Sequence, residues 1–346
     1  MEPGNGADAE ETRRLRCLEF ALVAKCDTTV AHSYLTENDW NVNKALSAFF
    51  EPADKDPAKP RQPTPTCEAD HCIDLTNEEN VKDLIHETAP ITSVVDGGLF
   101  NFITWNIDGL DASNLQERAQ AVCTCLAGYS PDVVFLQEVI PLYCVYLKKR
   151  ASNYRIITGN EEGYFTAILL KKERVKFISK EIIPFPSTKM MRNLLRVHVT
   201  ISGNEFYLMT SHLESTIEHA AERMNQLKIV FQKMQEAPES TTVVFAGDTN
   251  LRDQEVTKCG GLPSNIFDAW EFLGKPKHCQ YTWDTRMNTN LGIPAARKHR
   301  FDRIYFRAEQ GRLIPQSLDL VGMDKLECGK FPSDHWGILC GMDVVL

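Results

Sequence analysis

Four apolar runs in this sequence end directly in clusters of polar and carboxylate side chains, and a fifth such cluster precedes the last apolar run. The clusters lie at residues 105–110, 135–139, 210–214, 245–250 and 331–336. After a single strand, Asn, Asp and Gly usually form an ordinary turn. Strand ends at one edge of a sheet, however, converge although they are far apart in sequence. Five clusters in this order therefore indicate a sheet protein with one composite polar site.

The segments around these clusters alternate between strand and helix signals. Strands are predicted at residues 99–105, 133–137, 165–171, 194–201, 206–212, 241–246, 301–306 and 336–346. A capping-box sequence at residues 215–218 predicts the start of a helix, with an apolar face of Ile217, Ala220, Ala221, Met224, Leu227, Phe231 and Met234. This alternation predicts a layered α/β domain over residues 99–346.

Composition excludes the fibrous, collagenous and wholly disordered classes, because 43% of the 346 residues are hydrophobic and 25% are charged. No stretch approaches the roughly 18 uncharged apolar residues of a membrane span, and the acidic first residues do not resemble a signal peptide. We therefore expect an intracellular protein without a membrane partner. The 11 cysteines are scattered without a CxxC pair, which favours reduced thiols over a disulfide framework or a zinc ribbon.

The charge is unevenly distributed along the chain. Residues 1–99 carry 19 acidic and 9 basic side chains, a net charge of −10, whereas residues 100–346 carry 28 and 29, a net charge of +1. This division separates two functional units. Because the larger unit is nearly neutral, any polyanion must bind it through a local basic cleft.

Residues 11–50 show helical periodicity and fit three short helices, with Asn38 and Asn41 where caps would separate the second from the third. About 40 residues is close to the lower limit for independent folding, so a small recognition module is expected. The motif from Ala31 to Trp40 and the following residues 45–50 resemble a ubiquitin-associated domain, which implies ubiquitin as a partner. We assign this domain to residues 11–51, and any other small three-helix bundle remains the alternative.

Residues 52–98 are rich in proline and lack a sustained apolar period, which predicts a flexible linker. Within it, residues 72–76 form a short apolar strand former that Glu78 and Glu79 follow. This segment, 72–79, is similar to a SUMO-interacting motif, which adds a strand to the edge of a partner's sheet. An ordinary linker segment is at least as good an interpretation of so short a pattern.

The five clusters contain the residue types that phosphodiester hydrolysis requires. Carboxylates supply hard oxygen ligands for a divalent cation and a base for water, and histidines supply cationic donors beside the developing phosphorane charge. The ordered sequences WNIDGL, LQE, SHLE, GDTN, FDRI and SDHW resemble the exonuclease–endonuclease–phosphatase superfamily over residues 99–346. The resemblance implies a four-layer α/β sandwich, preceded here by the small three-helix bundle.

The resemblance also implies a role for each residue of the site. Glu138, helped by Asp108, would ligate Mg²⁺, for which Mn²⁺ could substitute. Asp248 would orient and deprotonate the attacking water, with Asn106 and Asn250 holding water and phosphate. The resemblance places His212 and His335 on the other side of the phosphate. Asp334 and Asp302 would orient an imidazole and keep it protonated.

Residues 161–165, 188–193 and 250–253 resemble the branch of the superfamily that acts on 5′-phosphotyrosyl DNA. The resemblance implies a basic and aromatic set that grips a single-stranded 5′ end: Tyr164, Arg192, Ser215, Arg252 and Trp283. The implied reaction is a DNA repair step, in which the bond between a DNA 5′ end and tyrosine derived from topoisomerase II is hydrolysed to leave a 5′-phosphate. Two alternatives stay open, namely an abasic-site endonuclease or other phosphoesterase of the same fold, and a ubiquitin-binding signalling adaptor. The expected location is the nucleus, and also the cytoplasm.

Overall fold

The structure is a computed structural model that describes residues 13, 16, 17, 20, 28–41, 45, 48, 98–308 and 313–344. The chain divides into two units between Ser93 and Val94. In the first unit, helix α1 (Thr28–Glu37) buries Ala31 and Leu35, and residues 13, 16, 17, 20, 45 and 48 are also helical. The predicted linker, including the SUMO-interacting segment at 72–79, lies outside the described residues up to residue 97 and stays a prediction.

The second unit consists of strands in two large sheets and one small sheet, and of helices that connect some of these strands along the chain. The strands are β1 (Leu99–Asn106), β2 (Val133–Val139), β3 (Tyr154–Thr158), β4 (Phe165–Lys171), β5 (Val175–Pro184), β6 (Asn193–Ile201), β7 (Asn204–Thr210), β8 (Thr242–Asp248), β9 (Phe267–Asp268), β10 (Trp283–Asp284), β11 (Lys298–His299), β12 (Asp302–Arg307), β13 (Leu313–Val321) and β14 (Gly337–Val344). The helices are α2 (Leu115–Tyr129), α3 (Pro141–Arg150), α4 (Ala220–Gln235), α5 (Asp253–Lys258) and α6 (Ala269–Phe272), and Lys277–Cys279 forms a 3₁₀ helix. Within the described part of the chain, every helix is too short or too polar to cross a membrane.

Each large sheet has six strands and contains one parallel pair near its centre. The first sheet has the order β13-β14-β1-β2-β4-β3, and the second has the order β5-β6-β7-β8-β12-β9. β1 runs parallel to β2 and β7 runs parallel to β8, whereas the other pairs within these sheets are antiparallel. The parallel pairs direct the carboxyl ends of four central strands to the same sheet edges, where the predicted site residues lie.

Three apolar cores separate the four layers of this unit. Strand side chains alternate between the two faces of a sheet, so Phe102 of β1 packs between the sheets with Val244 of β8, while the next residue, Ile103, packs outward. α2 and α3 cover the outer face of the first sheet with residues such as Val122 and Leu147. α4 covers the outer face of the second sheet in the same way. The predicted four-layer α/β sandwich is therefore confirmed.

All eight predicted strands are present, with ends that differ by at most two residues where the ends are described. Six strands were not predicted, namely the two-residue strands β9, β10 and β11 and the longer strands β3, β5 and β13. β5 is an edge strand whose outer residues are mostly exposed, so its sequence lacks the apolar alternation that identifies a half-buried strand. β13 contains Pro315 at a shift in register, and an internal proline argues against a strand in sequence analysis.

The predicted start of the long helix after residue 214 is wrong. α4 begins at Ala220, with His219 as its N-cap residue. Ile217, which was expected on the apolar face, is 71% exposed. The Ser215 hydroxyl does not cap a helix, because it contacts the side chains of Arg192 and Asn250 instead. A local capping signal was thus overridden by contacts within the site.

Gly247 is required where β8 passes the segment that precedes His212. A Cβ atom at this position would overlap the carbonyl oxygen of Ser211. We expect Gly247→Ala to lower the free energy of unfolding by at least about 2 kcal/mol, because main-chain atoms cannot move aside as a side chain can. Urea unfolding checks this. Gly203→Ala is the control, since it adds strain at a φ of +83° but meets no atom within 4 Å, and it should cost only about 1 kcal/mol. Equal losses for the two variants would contradict the expectation.

Candidate active site

The ends of the central strands of both large sheets meet at one site. In the first sheet, the parallel pairing of β1 with β2 places Asn106 opposite Gln137, the residue before Glu138. In the second sheet, Asp248 ends β8 and pairs with Asp302 of β12. A parallel bridge joins Asp248 to His212. Strand pairing thus joins two clusters in each sheet, and the hydrogen bond from the Asn106 side chain to Asp248 joins the two sheets.

Sharp backbone turns aim the side chains of the site. Asp108, Glu138 and Asn250 have φ values of 48°, 56° and 51°, in the left-handed region that side-chain-bearing residues rarely adopt. At Glu138 the pairing of β2 with β4 also shifts register, between Leu136 and Val139. Such bulges and left-handed residues re-aim a side chain at the end of a strand, and they are concentrated at functional sites.

Asn106 links the two sheets at the centre of the site. Its side-chain amide donates to Glu138 Oε1 at 3.3 Å and to Asp248 Oδ2 at 2.9 Å. Its own side-chain oxygen accepts the Asp108 backbone N–H at 3.0 Å. A neutral donor therefore holds two carboxylates close together without adding charge.

Asp248 remains ionised in a buried position. Burial alone would raise its pKa, but the imidazoles of His212 and His335 lower it, as do hydrogen bonds from the Asn106 amide and the Asn250 backbone N–H. The net effect is a pKa below the ordinary value for aspartate. A carboxylate that stays ionised and accepts hydrogen bonds is suited to accept a proton from water.

His212 is neutral and lies between two carboxylates. Its Nε2 is 3.2 Å from Asp248 Oδ2, and its Nδ1 is 3.8 Å from Glu138 Oε1. Burial and the positive charges of Arg192 and His335 lower the pKa of His212 to about 3, although Asp248 opposes this shift. At neutral pH the ring is therefore a neutral hydrogen-bonding group.

His335 has the opposite charge state. Its Nδ1 lies 2.8 Å from Asp302 Oδ2 in a buried hydrogen bond. Burial would lower the pKa of this imidazole, but the carboxylates of Asp302, Asp334 and Asp248 raise it well above the ordinary value. Its Nε2 lies 3.7 Å from Asp248 Oδ2 and faces the site. The two histidines of the site thus supply one neutral and one cationic group.

The two carboxylates expected to orient an imidazole have different partners. Asp302 binds His335 directly, as described above. Asp334 accepts the indole N–H of Trp283 at 3.1 Å and acts on His335 through its charge. The segment that carries Asp334 and His335 is fixed by Ser333, whose hydroxyl donates to the Asn106 carbonyl at 2.6 Å and accepts the His335 N–H at 3.1 Å.

Glu138 and Asp108 are buried carboxylates whose charges act on each other, and carboxylate oxygens are ligands that a hard divalent cation prefers. Burial and the charge of Asp334 raise the pKa of Glu138 to about 7 and that of Asp108 to about 8. Such shifts arise first from burial and then from neighbouring carboxylates, and a bound hard cation would favour the ionised form of both groups. Asp248, Asp302 and His335 also each place one ligand-type atom within 4.8 Å of the others. The site is therefore compatible with a divalent metal.

Tyr164, Arg192 and Ser215 lie on one side of this centre. The Arg192 guanidinium stacks 4.9 Å from the centre of the Tyr164 ring and donates to Ser215 Oγ at 3.2 Å. Asn250 donates to the same hydroxyl at 3.3 Å, and His212 Nε2 lies 3.5 Å from it. Ser215 therefore connects Arg192 to the residues around Asp248.

Arg252 and Trp283 lie on another side, along a series of stacked rings. Trp283 stacks on His299 with 5.9 Å between ring centres, and His299 stacks on Phe301 at 4.7 Å. Arg252 lies over Phe301 at 5.2 Å, and Phe301 is 6.2 Å from His335. The half-buried rings of Trp283 and His299 and the Arg252 guanidinium, which lie against buried Phe301, form a surface suited to stacking and phosphate contacts.

Two further buried residues, which are not among the predicted site residues, hold Asp108 and Asp302 in place. Arg118 donates to Asp108 Oδ2 at 3.4 Å, and to the carbonyls of Asp108 at 3.0 Å and Pro332 at 3.2 Å. Thr282 Oγ1 accepts the Asp302 N–H at 3.1 Å. Arg118 gave a usable signal, because it is a charged residue on the apolar face of α2, where such a residue needs a partner. Thr282 gave none.

Glu214 is a third residue that was not selected. Its buried carboxylate accepts the N–H of Met190 at 2.9 Å, the Thr188 hydroxyl at 3.0 Å and the Gln226 amide at 2.7 Å, as well as the Lys189 N–H. These bonds outweigh burial and hold its pKa below the ordinary value. Glu214 therefore fixes the loop that carries Arg192 into the site.

The opposite charge states of the two histidines give a pH prediction for the metal-free protein. His335, with a raised pKa, should keep its proton as the pH rises from 5.5 to 8, and His212, with a pKa of about 3, should stay neutral as the pH falls over the same range. Nitrogen-15 NMR of the imidazole rings measures both, with His212→Gln and His335→Gln used to assign the signals. A midpoint near pH 6.5 for either ring would contradict the prediction. Because unfolded His212 takes up a proton below about pH 6.5 while the folded residue does not, His212 should also make the fold less stable as the pH falls through that value.

Comparison with known proteins places this fold and site in a class. The endonuclease/exonuclease/phosphatase family matches residues 103–335, and a UBA-like domain matches residues 18–56. The chain belongs to the endonuclease/exonuclease/phosphatase family. This confirms the superfamily resemblance of residues 99–346 and the resemblance of the N-terminal unit to a ubiquitin-associated domain.

Within the family, the chain is similar to proteins named tyrosyl-DNA phosphodiesterase 2. It is 69% identical to that of Rattus norvegicus, covering 98% of this chain and 93% of the relative, and 64% identical to that of Homo sapiens, covering 100% and 98%. Among solved structures, D. rerio TDP2 complexed with single-strand DNA product is 54% identical with a TM-score of 0.70, covering 70% of this chain and 98% of that one. These relatives confirm the branch indicated by the sequence.

Proposed function

We propose that this protein hydrolyses the phosphodiester bond between a tyrosine and the 5′ end of DNA, releasing tyrosine or a peptide and leaving a 5′-phosphate. The observation that supports this most is the joint site of ionised Asp248, cationic His335 and the Glu138 carboxylate. The names of the relatives supply the substrate class. The adducts that topoisomerase II leaves on DNA belong to this substrate class, so the reaction would be a DNA repair step.

Asp248 acts as the general base in this mechanism. It accepts the proton of a water molecule while the water oxygen forms a bond to phosphorus, with Asn106 and Asn250 as neutral donors beside it. The bond from phosphorus to the phenolic oxygen breaks in the same step, and the phenolate takes a proton from solvent after it leaves. No covalent bond to the protein forms, so the configuration at phosphorus inverts.

His335 stabilises negative charge on the nonbridging phosphate oxygens. Its cationic ring is held in place by Asp302, and its Nε2 faces the site. A phenol has a pKa of about 10, so its oxygen needs less help from a general acid than a sugar hydroxyl does. Neutral His212 is a further hydrogen-bonding group beside Asn106, Asn250 and His335, and it adds no charge to the site.

Glu138 and Asp108 would hold Mg²⁺, for which Mn²⁺ could substitute, because they offer hard oxygen donors whose crowding a cation relieves. The bound ion would supply Lewis-acid stabilisation of a phosphate oxygen. We place the ion at Glu138 rather than between Asp248, Asp302 and His335, because Asp302 and His335 already bind each other. Tyr164, Arg192, Ser215, Arg252 and Trp283 would then contact the substrate around this centre.

A substrate panel tests the proposed function against its alternatives. A 5′-phosphotyrosyl oligonucleotide, an abasic-site duplex and an inositol phosphate are each incubated with Mg²⁺ and again with EDTA. We expect EDTA-sensitive hydrolysis of the phosphotyrosyl oligonucleotide at a rate far above the other two. Faster cleavage of the abasic duplex would favour an endonuclease, and no hydrolysis of any substrate would favour an adaptor with an inert domain.

We also propose that the UBA-like unit binds ubiquitin without contributing to hydrolysis. All proposed site residues follow residue 99, and the boundary between the units lies near Ser93. A chain that begins at Gly97 should therefore cleave the phosphotyrosyl oligonucleotide at about the full-length rate, while ubiquitin pull-down is lost. Retained ubiquitin binding would contradict the assignment. SUMO binding by residues 72–79 and a nuclear and cytoplasmic location also stay proposals. The full-length chain and the chain that begins at Gly97 can be compared in cells to test both.

A further inference from the structure

A buried ion pair joins α4 to α5 beside the loop that carries Ser215. Arg223 of α4 and Glu255 of α5 are both buried. The guanidinium donates from Nε to Glu255 Oε2 at 3.1 Å and from Nη2 to Oε1 at 2.7 Å, which is a two-point arginine fork. Burial of both charges is costly, and a pair that only held two helices together could be replaced by apolar side chains. The stability of the fold alone therefore does not account for this pair.

The rest of the Arg223 guanidinium holds the backbone on both sides of Ser215. Its Nη1 donates to the carbonyl of Glu214 and to the carbonyl of Thr216, each at 2.8 Å. Thr216 has a φ of 64°, in the left-handed region that a threonine rarely adopts, so this turn depends on contacts from outside it. Between the two carbonyls, the Ser215 hydroxyl accepts the Arg192 guanidinium at 3.2 Å. Arg223 thus determines where this hydroxyl lies.

The Glu255 carboxylate holds Arg252 in a similar way. Its Oε2 accepts the Arg252 N–H at 3.0 Å, and the Glu255 N–H donates to the Arg252 carbonyl at 2.8 Å. Arg252 is the N-cap residue of α5, and its guanidinium extends from there over the Phe301 ring at 5.2 Å. Burial would raise the pKa of Glu255, but the hydrogen bonds from Arg223 and from the Arg252 N–H hold it below the ordinary value, so the carboxylate is ionised. Glu255 thus determines where the Arg252 side chain begins.

We infer that the Arg223–Glu255 pair positions two substrate-contact residues, Ser215 and Arg252, which lie on different sides of Asp248. The inference rests on the proposed function. Because both members of the pair are buried, each is a positioning residue that acts through the side chain it supports. One ion pair therefore fixes two separate contacts to the 5′ end of the DNA relative to each other.

Substitution of Glu255 tests the Arg252 side of this inference. We expect Glu255→Gln to weaken the affinity for a single-stranded 5′-phosphate oligonucleotide about tenfold and to raise the KM for the phosphotyrosyl oligonucleotide equally, while kcat changes less than about threefold. The amide has one oxygen in place of two, so the Arg223 fork and the Arg252 N–H cannot all keep an acceptor. Fluorescence anisotropy and steady-state kinetics measure these quantities. The matched control is Asp268→Asn, which changes another buried carboxylate that pairs with an arginine, Arg300, and caps a helix without a proposed contact residue, α6. It should destabilise the fold but leave the affinity unchanged.

Combined variants show whether the pair acts through the residues that it positions. Once Arg252→Ala has removed that guanidinium, Glu255→Gln should have little further effect on the affinity. Arg223→Lys keeps a cation opposite Glu255 but cannot form the fork and reach both carbonyls, so it should have little further effect once Ser215→Ala has removed the hydroxyl. Additive losses in either pair of variants, or wild-type affinity in either single variant, would overturn the inference. If Glu255→Gln does not fold, the Arg223→Lys comparison decides, and if neither folds, the pair serves only the fold and the inference is wrong.

The positioning role and the proposed function fail in different experiments. Binding of the 5′-phosphate oligonucleotide requires no hydrolysis, so the combined variants can be measured even if the wild type does not cleave phosphotyrosyl DNA. That failure to cleave would refute the proposed function alone. A wild-type protein that does not bind the 5′-phosphate oligonucleotide would overturn the positioning role as well.

Discussion

Asp248→Asn should lower kcat for phosphotyrosyl hydrolysis by about 10³-fold or more, with little change in the fold. The side chain is nearly the same size, but the Asn106 amide donates to Oδ2 and the Asn250 N–H donates to Oδ1, so only one of these two hydrogen bonds keeps an oxygen acceptor. What is lost is the negative charge that accepts the proton of the attacking water. Single-turnover kinetics with excess protein measure this step without interference from product release.

The control for this variant is Asp324→Asn, which makes the same chemical change at an exposed position. It should keep wild-type turnover. Circular dichroism and urea unfolding should show both variants folded. If folded Asp248→Asn retained more than about a tenth of the wild-type rate, Asp248 would not be the base, since general bases typically contribute roughly 10²-fold to 10⁴-fold.

Glu138→Gln should lower kcat/KM by about 10³-fold and weaken divalent-cation affinity by at least about 100-fold, because a neutral amide oxygen is a much poorer ligand for a hard cation than a carboxylate. The same change should make the metal-free fold more stable at pH 8. The folded pKa of Glu138, about 7, lies above the ordinary value of 4.5. Deprotonation at higher pH therefore costs the folded state more than the unfolded state, and the glutamine removes that cost.

This pair of opposite effects distinguishes a ligand from a merely structural residue. Damage to the fold would lower both activity and stability, whereas loss of a crowded metal ligand lowers activity and raises metal-free stability. Glu239→Gln, an exposed change of the same type, should alter neither. Calorimetric titration with Mg²⁺ and thermal unfolding in EDTA provide the two readouts. A wild-type cation affinity in Glu138→Gln would contradict the assignment.

The sequence predicted the layers of the fold because the buried strands carry continuous apolar runs. β1, β2 and β8 are almost wholly buried, because their side chains pack into a core on each face of the sheet. Their sequences are therefore almost continuously apolar and are readily identified as strands. β5 was missed because an edge strand needs few apolar residues. The error at α4 had a different cause. Ser215 matches a cap locally, but in the fold its hydroxyl serves Arg192 and Asn250.

The contents of the site were largely predictable, but its electrostatics were not. Asn106, Glu138 and Asp248 could be identified as site residues because each follows a buried apolar run directly. The sequence cannot show that His212 is neutral while His335 is cationic. Burial and the charge of Arg192 lower the pKa of His212, whereas three carboxylates from distant segments raise the pKa of His335. Nor does the sequence show that Glu138, Tyr164 and Arg192 line one cleft, since a cleft depends on packing among distant segments.

Isotope labelling of a single turnover tests the central claim most directly. A 5′-phosphotyrosyl oligonucleotide is incubated with excess protein and Mg²⁺ in H₂¹⁸O, and both products are weighed by mass spectrometry. Our account predicts an oligonucleotide whose 5′-phosphate has gained one ¹⁸O atom and a tyrosine that has gained none, because water attacks phosphorus and the phenolic oxygen stays with its ring. Tyrosine carrying ¹⁸O, or cleavage at an internal phosphodiester with the adduct still attached, would contradict it.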